Sequence, residues 1–461
     1  MIKPWSLLTL PGPREHLDSI SADLDEGMSC VWLMPDEFVD NGLADELLDE
    51  LANNHDSLHV PEPEGPPCGG ETAAIAPIRA RHPTNDLPPW ARDAFSDLAD
   101  FDAPASPVVA ADARTTSVAE RIAQLLDLET DEHSDEVHAV VSEPQLRGKV
   151  LVVCGWRERD RDSLAKVLTR LTSLVKEEGL QPAHRPRLLL ASRERDLPPA
   201  ALDRLDQMTT RVRWWWGVVG RLDTAVVVAT ARTKFANRTS ATRVSALREV
   251  VAIDVITEVA GPDLQLAEHL ATSWDGMVSS LGDSIEVSAR DFGVDDLRHE
   301  GELPRHSGHR PPYELRRAWR LGLADLWEHQ LRVSPAAHRP GRNGIGLNAM
   351  IWRGQNRALM PIVDEYRGRL EQVFRDRASR AVLADMTQQD RLRKVAPQPR
   401  RSVLELGSMA WAVSSKRVRL PRTENELLFS LLDVRNSLAH LQPITDDEIE
   451  RLAHALPGGR P

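Results

Sequence analysis

Apolar and polar positions follow two regimes along this chain. In the first 290 residues, short continuous apolar runs stand between amphipathic stretches; beyond about residue 314 the spacing is helical throughout. SCVWLMPD (29–36) reads as a buried strand entered from a short helix, PREHLDSISADLDEG. The helix LADELLDELANN (43–54) and a strand-like SLHVPE follow. Residues 61–107, rich in Pro, Gly and Asp, read as an irregular insertion, with SVAERIAQLLDL a helix after it. KVLVVCGW (149–156), PRLLLASRE (186–194) and TAVVVAT (224–230) read as central strands. RDSLAKVLTRLTSLVKEEG (161–179) is an amphipathic helix ended by Gly179. Continuous apolar strands separated by helices predict a mostly parallel sheet covered on both faces. Two more helices, SALREVVAIDVITEVAG and PDLQLAEHLATSWDGM, carry this α/β region to about residue 290.

RHEGELPRHSGHRPPYE (298–314) is polar and rich in Pro and Gly, so it predicts a linker. The expected division is an α/β domain over 1–290, a linker over 291–314 and an all-α bundle over 315–461. ELRRAWRLGLADLWEHQL (314–331) and AMIWRGQNRALMPIVDEYRGRLEQVF (349–374) predict long amphipathic helices, and ADMTQQDRLRKVAPQPRRS a basic loop. VLELGSMAWAVSS (403–415), TENELLFSLLDVRNSLAHL (423–441) and TDDEIERLAHAL complete the bundle, the last capped by Thr445 and Asp446.

Composition narrows the class. The 41% hydrophobic and 28% charged fractions are those of a soluble globular protein. The N-terminus lacks a signal-peptide core, and no stretch has the length of a membrane span, so a bacterial-type cytoplasm is expected. Cys30, Cys68 and Cys154 form neither a metal knuckle nor a disulfide framework. The net charge of -13 is uneven: +9 from residue 301 onward and -22 before it. Such asymmetry fits a basic part that meets a polyanion, or two parts that attract each other.

The α/β layout is similar in topology to STAND- or AAA-type P-loop NTPases, so their chemistry has a predicted place. The segment after the first strand, MPDEFVDNGLADEL, has one glycine, no lysine and several carboxylates, and no G-x-x-x-x-G-K-[ST] occurs in the chain. The resemblance therefore implies a degenerate domain, regulatory or scaffolding, with no nucleotide-binding residues and no cofactor or metal. Glu158, Asp160, Arg193 and Glu194 fall near strand ends and read as a solvated rim. In RWWWGVVG (213–220) three adjacent tryptophans could stack on bases, but core or interface is the reading preferred here.

LLFSLLDVRNSLAHLQPI (427–444) carries the candidate chemistry. Leu427, Leu428, Leu431, Leu432, Leu438 and Leu441 make an apolar stripe that Arg435 interrupts. Asn436 and His440, four apart, share a face. Arg435 and His440 are five apart, about 140° around an ideal helix, so two copies of the helix across a two-fold axis would best bring these groups together. RNSLAH resembles the R-x4-6-H signature of HEPN domains. LELGSMAWAV and IWRGQNRALMPIVDEYRGRLE resemble the preceding helix and the long first helix of that family's defence and abortive-infection branch.

The resemblance covers about residues 315–456. It implies an all-α bundle that dimerises and, in active members, a metal-independent endoribonuclease of a stress or phage-defence system. Cleavage by the RNA 2′-OH needs a group titrating near neutrality and a fixed cation against the phosphorane charge. His440 is then the general base or acid, Arg435 the phosphate stabiliser and Asn436 the orienting group. Arg391, Arg393, Lys394, Arg400, Arg401, Lys416, Arg417 and Arg419 would hold the RNA backbone. The alternative is a non-catalytic HEPN-type dimerisation or adaptor subunit within a multi-protein defence complex. RNA, a second copy and defence-system proteins are the expected partners, and a membrane is not.

Overall fold

The computed structural model describes residues 7–63, 116–128, 136–198, 200–236, 242–291, 308–338, 345–393 and 403–457. Along the chain, α1 (Pro11–Asp25), β1 (Ser29–Met34), α2 (Asp36–Asp40), α3 (Leu43–Asn53) and β2 (Ser57–His59) come first. Next are α4 (Val118–Leu125), α5 (Glu136–Ser142), β3 (Val150–Cys154), α6 (Arg161–Glu177), β4 (Arg187–Arg193) and β5 (Thr210–Trp214). Four helices follow: α7 (Arg221–Ala236), α8 (Arg243–Ala260), α9 (Leu264–Ser273) and α10 (Leu281–Val287). The short α11 (Arg316–Arg320) precedes β6 (Ala324–Trp327) and β7 (Gln330–Val333). The chain ends in α12 (Ile345–Arg377), α13 (Arg380–Arg393), α14 (Leu406–Ser414), α15 (Arg422–Ala439) and α16 (Asp446–Ala455). Among the described residues no helix is long and apolar enough to cross a membrane.

Contacts divide the chain into two compact units, one of residues 1–20, 34–47 and 213–461, the other of 21–33 and 48–212. Most of the linker expected at 291–314 lies outside the described residues.

The second unit is built on the five-stranded sheet, in the order β2-β3-β4-β1-β5. β3 pairs in parallel with β2 and β4, aligning Leu58 with Leu151 and Val152 with Leu189. Val150 to Val153 and Leu188 to Ala191 are all buried, which is why these strands read as unbroken apolar runs. α6 turns Leu164, Val167, Leu168, Leu171 and Val175 inward at helical spacing. Asp160 starts it by accepting the Ser163 N–H at 2.9 Å.

In the first unit one core runs from Val228 through α8, α9 and α10 to the five C-terminal helices, ending at Leu456. α8 and α12 meet so closely that a Cβ at Gly354 would lie 2.5 Å from the Val255 Cα. The helices between 243 and 287 thus share a core with the C-terminal bundle.

Three expectations need correction. TAVVVAT is helical, within α7, and the fifth strand lies earlier, at Thr210–Trp214. Three successive valines resemble a strand, yet here Val228 is buried, Val227 half-buried and Val226 exposed, as a 100° step requires. Residues 314–331 are not one helix. Gly322 (φ +66°) breaks the chain, and Glu328 and His329 (φ +51° and +62°) turn β6 into antiparallel β7. Positive φ at both turn positions favours Asn-Gly, so Glu-His gives no hairpin signal. Finally, the basic loop is helical as far as Arg393.

Candidate functional site

The buried stripe of α15 is Leu427, Leu428, Leu431, Val434 and Leu438. Val434, not Arg435, continues the i, i+3, i+4 pattern, so the expectation that Arg435 interrupts the stripe is corrected. Leu432 is half-buried and Leu441 is 66% exposed, beyond the helix end. Arg435 therefore stands beside the core-facing stripe, in solvent.

Arg435 and Asn436 occupy the last turns of α15, and His440 is the residue that caps it. Arg435 Nη1 donates to Asn436 Oδ1 at 3.1 Å. The His440 N–H donates back to the Asn436 carbonyl at 3.0 Å. Arg435 and His440 side chains are both exposed, and among the described residues no carboxylate pairs with either.

Past His440 the chain reverses at once. The Gln442 N–H reaches the Ser437 carbonyl at 3.0 Å and the Leu441 N–H reaches Leu438 at 3.1 Å, which forces Leu441 into left-handed backbone (φ +60°). This closure normally uses glycine. Two side chains of α12 hold the turn. Trp352 Nε1 donates to the Leu438 carbonyl at 2.8 Å, and buried Gln355 bonds the main chain of Ile444. Thr445 then caps α16 in a capping box with Glu448, whereas Asp446 turns away and accepts the N–H groups of Val278 (2.8 Å) and Ser279 (3.2 Å).

Of the expected RNA contacts, Lys416, Arg417 and Arg419 are exposed in the turn between α14 and α15. Arg417 pairs with Asp385 at 2.8 Å. Arg393 ends α13, but its side chain and that of Arg391 lie outside what is described, as do Lys394, Arg400 and Arg401. No hydrogen bond or ion pair among the described residues links the 416–419 turn to Arg435 or His440.

Sequence reasoning missed several buried polar groups. Glu158 is no solvated rim: its side chain is buried against Arg121, although burial pushes its carboxyl above the ordinary range. Arg121 also donates to the carbonyls of Pro61 and Thr116, each at 2.7 Å. Arg193 is likewise committed, to Asp196 at 2.8 Å. In the first unit a cavity of about 60 Å³ is lined by Phe38, Trp215 and Trp319 together with Glu37, Asp263 and Asp325. Asp325 accepts the N–H groups of Gly217 and Leu326 at 2.7 Å each, yet burial pushes its pKa up to about 7. All three tryptophans at 214–216 are buried, and Trp319 Nε1 donates to the Trp215 carbonyl at 2.7 Å, so the core reading of RWWWGVVG is the one realised in space. Polar residues at helical spacing give no sign of partners so far away in sequence.

No protein-family model, curated protein or solved structure matches this chain.

Proposed function

We propose that the chain is a HEPN-type, metal-independent endoribonuclease effector of a bacterial stress or phage-defence system, its α/β region a degenerate NTPase-like regulator. The observation that carries this reading is the end of α15. Arg435 and His440 meet solvent there, no carboxylate among the described residues pairs with either, and the turn after His440 is held by Trp352 and Gln355. A fixed guanidinium and an imidazole presented on a braced turn suit phosphodiester cleavage, where geometry must hold while charge develops on phosphorus. His440 moves the proton of the RNA 2′-OH, Arg435 stabilises the phosphorane and Asn436 orients Arg435 through its Oδ1. The products are a 2′,3′-cyclic phosphate and a 5′-hydroxyl. A second copy of α15 across a two-fold axis completes the site, because one helix alone points Arg435 and His440 apart. Leu441, exposed next to His440, also favours a second reading, in which the same end is an adaptor surface without chemistry.

The test is RNA cleavage in EDTA by the full-length chain beside its His440→Ala and Arg435→Ala variants. Cleavage that both substitutions abolish supports the ribonuclease. Cleavage that survives them overturns the site, and an inactive wild-type chain that still dimerises favours the adaptor.

A further inference from the structure

We propose that Trp411 and Arg417 form a stacking site for an unpaired nucleobase, so that the RNA held by the 416–419 turn is single-stranded; this rests on the ribonuclease reading above. α14 is short and apolar, and Met409, Ala410 and Ala412 are buried. Trp411 faces the other way and stays 40% exposed. A lone exposed apolar side chain is ordinary on a protein surface. What distinguishes Trp411 is its company. The Arg417 guanidinium lies 4.7 Å from the indole centroid and is tied in turn to Asp385 at 2.8 Å. Lys416, exposed and in left-handed backbone (φ +61°), and exposed Arg419 flank it.

One accessible indole thus carries a guanidinium against its ring, oriented by Asp385, and two further exposed cations, Lys416 and Arg419, lie close to it in sequence. A protein partner would match an apolar indole with apolar neighbours, but Ser414, Ser415, Lys416 and Arg419 surround this one in sequence and all are exposed. Single-stranded nucleic acid offers the complementary pairing, a flat base for the ring and phosphates on either side for the cations. In an intact duplex the bases are stacked on one another and cannot reach the indole. Arg417, already fixed over the ring, loses little freedom on binding.

The test uses the full-length chain carrying His440→Ala, so that bound RNA stays intact, titrated with a fluorescent oligoadenylate and with a duplex of equal length. Trp411→Ala is expected to weaken single-strand binding about tenfold, and Trp411→Phe to stay within about threefold of the parent. Duplex binding should be unchanged, and thermal melting checks that each variant folds. Equal single-strand affinity in parent and Trp411→Ala overturns the proposal, as does equal loss of strand and duplex. Unchanged RNA affinity with weakened self-association would make the indole a protein contact instead. A parent that binds neither RNA also overturns it. Cleavage abolished by His440→Ala, with affinity indifferent to Trp411, would remove the stacking site alone and leave the ribonuclease standing.

Discussion

Gln355 and Ile444 exchange two hydrogen bonds: the amide of Gln355 donates to the Ile444 carbonyl at 2.8 Å and its Oε1 accepts the Ile444 N–H at 2.6 Å. Gln355 is wholly buried, so no water replaces either bond. Gln355→Met would leave a buried N–H and a buried carbonyl unsatisfied, at about 1–3 kcal/mol each. Urea denaturation should show a loss of about 2–4 kcal/mol. Amide exchange at Ile444 should accelerate as well. A variant as stable as the parent would mean that the turn after His440 is held by something else.

Arg121 gathers Pro61, Thr116 and Glu158 on one guanidinium. The two chain ends that bracket the Pro/Gly-rich insertion, most of which lies outside the described residues, therefore meet at a single group. Arg121→Met strands a buried carboxylate and should cost about 3–5 kcal/mol. Adding Glu158→Gln should recover part of that loss, as a double-mutant cycle by chemical denaturation would show.

Asp325 sets a pH dependence of definite sign. Its folded pKa of about 7 lies above the ordinary 3.8, so between those values the folded chain binds more protons than the unfolded one. Stability from this group is complete below 3.8, falls as pH rises toward 7 and levels off above. Asp325→Asn keeps an acceptor for Gly217 and Leu326 but does not ionise. Its advantage in melting temperature should be near zero in acid and reach about 1–2 kcal/mol equivalent above neutrality, less than the full shift because the residue keeps some contact with water. A difference that does not vary with pH would show that the carboxyl titrates normally.

Leu441 occupies a backbone region that disfavours a side chain by about 1–2 kcal/mol. Most of its own surface is in water, so little packing is lost with it. Leu441→Gly should stabilise the isolated chain by up to about 1 kcal/mol, part of the relief being offset by the greater freedom of glycine when unfolded. Equilibrium denaturation at low protein concentration decides this. If the variant instead weakens self-association, the leucine is retained for a partner.

Much of the secondary structure was legible because burial on two faces leaves a visible trace. β3 is apolar throughout, β1 and β4 carry polar residues only towards their ends, and α6 and α15 repeat at 3.6 residues. The errors arose where local pattern and environment part company. Val226 to Val228 look like a strand, but α7 buries one of them and lets another face water. The β6–β7 hairpin turns on Glu328 and His329, whose chemistry does not announce positive φ. Arg435 was legible as a candidate; its outward direction was not, because a one-residue shift of the stripe to Val434 moves it from core to solvent.

The sequence by itself determined the alternation of strands and helices in the N-terminal half, the helical C-terminal region, and the presence of an arginine, an asparagine and a histidine near the end of one helix. Periodicity reports which face of an element avoids water, and that is local information. Only the tertiary structure decided that the helices of 243–287 share a core with the C-terminal ones, that Trp352 and Gln355 brace the turn after His440, and that Arg121 closes the insertion. The last two outcomes depend on which buried polar groups meet across separations of up to 89 residues, and burial favours pairing without recording in the local pattern which partner is met.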